Sequence, residues 1–75
     1  MTFTLVELWR EAQRETALRR NVYQHWVVDR RMSQLEAEEG IGKMQAIADL
    51  LEPMAKQEQA AIDAEREINE PRFEL

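Results

Sequence analysis

Apolar residues recur at helical spacing along most of the chain, and no run alternates with polar residues over the length of a strand. At 100° per residue, Leu5, Leu8, Trp9, Ala12, Thr16, Val22, Tyr23, Trp26 and Val27 share one face of a first helix. Ala37, Ile41, Met44, Ile47, Ala48, Leu51, Ala55 and Ile62 form the stripe of a second, close to a heptad rhythm. Each helix has a start signal. In Thr4-Leu5-Val6-Glu7 and Ser33-Gln34-Leu35-Glu36 a hydroxyl stands three residues before a carboxylate, the spacing of a capping box. The pattern predicts helix over about 5–30, a turn over about 31–33, helix over about 34–69 and a frayed tail over 70–75 that contains Pro71. Two connected helices with facing stripes make an all-α antiparallel two-helix hairpin, one domain over residues 1–75.

The turn sets a register in which residue i of the first helix lies near residue 64 − i of the second. Tyr23 then meets Ile41, and Trp26 lies across from Ala37 and Gly40. A helical glycine costs about 1 kcal/mol relative to alanine, and room for the indole is the expected compensation at Gly40. Trp9, Val22, Tyr23, Trp26, Ile41 and Met44 are the expected core. Arg19 sits on the apolar face with Glu15 one turn before it. Either its stem packs while its head reaches solvent, or it makes a partly buried polar contact at an interface. Pro53 lacks the amide that would bond the Asp49 carbonyl, so the longer second helix is expected to kink there, with Glu52 and Lys56 paired across the bend.

The second helix outruns the first, and its overhang carries another apolar stripe: Ala46, Leu50, Met54, Ala61, Ala64 and Ile68. Either Pro53 resets the phase of a single stripe or this is a second face. On the latter reading Leu50, Met54, Ala61, Ala64 and Ile68 are the expected dimer or partner face. Arg20, Arg30 and Arg31, toward the turn, are candidate polar anchors.

Size sharpens the expectation of self-association. Chains of 75 residues sit where a single core is marginal without disulfides, a metal or oligomerisation. There is no cysteine and one histidine, which leaves oligomerisation, with a homodimeric four-helix arrangement as the simplest form. His25 and Asp29 are spaced to share a metal, but no third ligand is evident, so no metal or other cofactor is expected. No phosphate loop, nucleophile set or HExxH motif occurs, and a two-helix hairpin offers little concavity for paired carboxylates to work in; an enzyme is not expected, nor a small-molecule substrate. The opening residues lack a signal-peptide pattern and no apolar run is long enough to span a bilayer, so a cytoplasmic protein without membrane contact is expected.

The net charge of −5 is unevenly spread. Residues 1–31 hold six arginines against four acids, whereas residues 32–75 hold four basic residues against eleven acids. Arg10, Arg14, Arg19, Arg20, Arg30 and Arg31 would attract phosphates, but the acidic second half would repel them, which argues against direct nucleic-acid binding. A bipolar chain suits antiparallel pairing of its own halves, or a partner with a basic surface such as a DNA-binding protein.

Residues 15–50 contain Leu18-Arg19-Arg20-Asn21-Val22-Tyr23, Trp26-Val27, Arg31-Met32-Ser33, Glu36-Ala37, Ile41, Met44 and Ala46-Ile47. On these residues the segment resembles small helical proteins of tailed phages and prophages, a family that includes a quorum-sensing anti-activator. The chain departs from the pattern at Gln24, where a proline is usual, and at Asp29-Arg30, where a small residue and glycine are usual. The resemblance implies a dimeric, phage-encoded inhibitor acting in the bacterial cytoplasm. It would occupy a host protein, as the anti-activator occupies an acyl-homoserine-lactone-responsive transcription regulator. The competing expectation is a phage structural or assembly protein, a scaffold or chaperone component.

Overall fold

The computed structural model describes residues 2–69, with side chains through residue 66; the expected tail over 70–75 lies outside the described residues. Two helices, α1 (Leu5–Val28) and α2 (Gln34–Asn69), pack antiparallel, and no strand occurs among the described residues. At the start of α1 the capping box forms in full. The Thr4 hydroxyl accepts from the Glu7 amide at 3.1 Å, and the Glu7 carboxylate accepts from the Thr4 amide at 3.1 Å. At α2 the serine half forms, the Ser33 hydroxyl accepting from the Glu36 amide at 3.0 Å.

Helix α1 ends at Val28, two residues before the expected boundary, and the turn begins at Asp29 rather than Arg31. The Arg30 amide donates to the Val27 carbonyl at 3.1 Å and the Arg31 amide to the Trp26 carbonyl at 2.8 Å. These two bonds make the Schellman closure, which needs a left-handed residue, and Arg30 supplies it at φ 62°. Glycine is usual here because a Cβ in this conformation costs roughly 1–2 kcal/mol. The chain bears that cost at Arg30.

Small residues line the seam between the helices. Val6, Ala12 and Thr16 of α1 and Ala37, Ala48 and Ala55 of α2 are buried, Ala55 completely. The Thr16 hydroxyl is satisfied by the Ala12 carbonyl at 2.7 Å. The expected core of large side chains is therefore corrected. Trp9, Val22, Tyr23, Ile41 and Met44 are half-buried, and Trp26 is 38% exposed. Leu8 and Ile47, placed on the expected inner faces, are also exposed, whereas Val6, off the stripe, is buried. The reason is geometric. Two helices alone cover only a narrow strip, and alanine in that strip lets the backbones approach while bulkier side chains splay to its edges.

The Glu58 contacts to Leu5 and Val6 and the Arg20 contact to Gln45 keep to the expected register within one residue, whereas the long Arg19 side chain reaches five residues off it, to Gly40. The room at Gly40, however, is taken by Tyr23 and not by the Trp26 indole. A Cβ on Gly40 would lie 2.8 Å from the Tyr23 ring. Helix α2 continues past Pro53 as one element, and Glu52 and Lys56 pair across it at 2.8 Å. The α1 N-terminus is level with Glu58, so α2 overhangs by about ten residues, roughly 15 Å.

Candidate functional site

Three surface regions bear on function, and each follows from which helix face the seam leaves uncovered. The first is the stripe of α2 that runs onto the overhang, where Ala61 and Ala64 lie, while Ala46, Leu50 and Met54 lie alongside α1. Ala46, Leu50, Met54, Ala61 and Ala64 are all exposed, Leu50 at 69% and Met54 at 40%. The Ile68 side chain lies outside the described residues. Near the α1 N-terminus, Met54 and Ala61 join Leu5 and Glu58 in a shallow groove.

The second region holds the candidate polar anchors, which the fold does not gather into one cluster. The Arg20 guanidinium bonds the Gln45 side chain across the helices at 2.8 Å, on the wall of a groove with Val28, Ala37 and Ile41. Arg30 and Arg31 are exposed at the turn, and Arg20 lies about 15 Å further down α1.

The third region is a broad face to which both helices contribute and which the sequence pattern did not single out. One shallow dent is walled by Leu8, Ala12 and Glu15 of α1 and Met44, Ile47 and Leu51 of α2. A second shares Glu15 and continues through Leu18, Arg19, Val22, Tyr23 and Trp26. Within it Tyr23 stacks on Trp26, with ring centroids 5.6 Å apart, and the Arg19 guanidinium lies 5.9 Å from the Tyr23 centroid. Arg19 donates to Glu15 at 3.0 Å and to the Gly40 carbonyl at 2.9 Å. Arg19 thus makes a partly buried polar contact between the two helices of one hairpin. Missing its Cβ, Gly40 admits both the ring and the guanidinium to the α2 backbone.

Glu58 is the functional surprise of the fold. Its two carboxylate oxygens accept from the Leu5 and Val6 amides at 3.1 and 3.2 Å, capping α1 from the opposite helix. With Thr4 holding the Glu7 amide, the first three amides of α1 all have side-chain acceptors, and the carboxylate faces the positive end of the helix dipole. A signal was present: Glu58 falls in the heptad slot between Ala55 and Ile62, where an apolar residue belongs, and level with the α1 start.

Among the described residues no three His, Asp or Glu side chains gather to hold a metal ion, and no described helix is long and apolar enough to cross a membrane. No family model matches the chain, and neither the curated proteins nor the solved structures compared with it are similar.

Proposed function

We propose that this chain is a binding protein, encoded by a phage, that pairs with itself and inhibits a bacterial host protein in the cytoplasm by occupying it. The observation that carries the reading is the amount of large apolar side chain left in solvent: Phe3, Leu18, Val28, Leu35 and Leu50 are each at least half exposed. Surfaces of that kind mark protein contacts more often than they mark reaction sites. The shallowness of every dent supports binding in preference to catalysis, because a reaction site needs enclosure that two helices do not build. In this reading two hairpins form a four-helix arrangement, and a bend of α2 at Pro53 directs the overhang, with Ala61 and Ala64, toward a partner that Leu50 and Met54 also touch.

The target best matched to the resemblance in residues 15–50 is an acyl-homoserine-lactone-responsive transcription regulator. The test is direct. The purified protein is titrated into such a regulator bound to labelled operator DNA, and fluorescence anisotropy follows the DNA. Stoichiometric release of DNA is expected. DNA that stays bound at a tenfold excess would end the anti-activator reading, and co-assembly with virion proteins from infected cells would put an assembly role in its place.

A further inference from the structure

We infer that the broad two-helix face, carrying Leu8, Leu18, Val22, Trp26, Ile47 and Leu51, is where a second copy of this chain docks. The overhang stripe of α2 is thereby left free for a different protein. This deepens the proposed function and rests on its premise that the chain pairs with itself.

Three observations select the occupant. First, the hairpin has little interior: among the described residues the buried apolar side chains are Val6 and four alanines, and no large side chain is fully buried. A 75-residue chain with so little core gains most by covering its apolar face with another copy. Second, the areas differ. Over the 24 residues of α1 the face runs about 36 Å, and the molecule is 23 Å across, so its footprint is at most roughly 800 Å² per copy. That matches the share each partner buries in a stable complex of standard size. The overhang stripe has the width of one helix, about 10 Å, over some 27 Å from Leu50 to Ile68. Its roughly 300 Å² per copy, about 600 Å² from two copies, falls short of the roughly 1,200 Å² total that a specific interface needs. Third, the face is already prepared for covering. Its carboxylates Glu11 and Glu15 are paired within α1, with Arg14 at 3.3 Å and Arg19 at 3.0 Å. Trp26, Tyr23 and Arg19, the side-chain types that dominate interface energetics, are stacked on one another before any partner arrives.

The test compares two double variants of the full chain by sedimentation equilibrium, with helical circular dichroism as the control for folding. Leu18→Glu with Ile47→Glu is expected to halve the mass of the wild-type dimer to that of one 8.9 kDa chain. Leu50→Glu with Ala61→Glu is expected to leave the dimer intact. A dimer that survives the first variant, or is lost in both, overturns the assignment of the face while the pairing premise stands. Wild type that sediments as a monomer at 100 μM overturns that premise too.

Should the first variant unfold, a mixed sample decides the matter without disturbing the face. The chain has no cysteine, so Asn21→Cys, at an exposed position of α1 outside the face, gives a single site for a nitroxide label. Mixed with isotope-labelled wild type, it is expected to broaden amides along the Leu8–Trp26 stretch of α1 and at Ile47 and Leu51. Broadening confined to the Leu50–Ala64 stretch, or none at all, overturns the proposal.

Discussion

The two ends of the hairpin hold their helices together in different ways. At the open end, alanine lines the seam and one carboxylate, Glu58, ties α2 to the first amides of α1. At the turn end the bulk comes from α1. Tyr23, Trp26 and Arg19 stack in series, and α2 makes room with Gly40, whose carbonyl takes the Arg19 guanidinium. The open end thus relies on close backbone approach and a fixed charge. The turn end relies on an aromatic ring set against a missing side chain. One surface follows from the difference: pushed to the edge of the seam, the aromatic residues continue the apolar row that Leu8, Ile47 and Leu51 begin.

Removing the tie at the open end should have the largest effect. Glu58→Ala leaves the Leu5 and Val6 amides without their acceptor and is expected to cost about 2 kcal/mol in urea denaturation. Hydrogen exchange at those two amides should rise with it. Unchanged exchange there would show that the carboxylate does not hold the helix end.

At the turn end the two glycines of α2 should respond with opposite signs. Gly40→Ala drives a methyl into the Tyr23 ring and is expected to destabilise by about 1–2 kcal/mol. A methyl on Gly42 would meet nothing within 4 Å, so Gly42→Ala should stabilise by somewhat under about 1 kcal/mol through helix propensity alone. Stabilisation by both would mean that Tyr23 does not depend on the space at Gly40.

The smallest effect is expected at the turn itself. Arg30→Gly relieves a left-handed arginine while keeping the two closing hydrogen bonds, and a gain of about 0.5 kcal/mol in thermal unfolding is expected. A loss of stability would indicate that the Arg30 side chain contributes more than its backbone conformation costs.

Much of this architecture was legible in the residues. Thr4 and Glu7 announce the start of α1, Ser33 marks that of α2, the apolar periods give the number of helices, and the turn gives their register. Pairs along one helix, Glu15 with Arg19 and Glu52 with Lys56, were equally plain, because helical geometry alone brings residues four apart together. The candidate site was less legible. Leu50 and Met54 are exposed alongside α1 and Ala61 and Ala64 on the overhang, but the broader face is not legible in the pattern because its members come from both helices and, on a helical wheel, merge with each helix's inner stripe.

What periodicity along one chain determines is direction, the side of a helix that is apolar. How much of that side a neighbour covers depends on the separation of the two axes, which the side chains in the seam set jointly. Alanine at Ala37, Ala48 and Ala55 makes the covered strip narrow, so Trp26, Leu8 and Ile47 remain in solvent although they lie on the apolar side. The same holds for Glu58 and Gly40. Sequence supplied a carboxylate in an apolar slot and a glycine in a helix, and only tertiary packing gave the one two amides to hold and the other a tyrosine ring to admit.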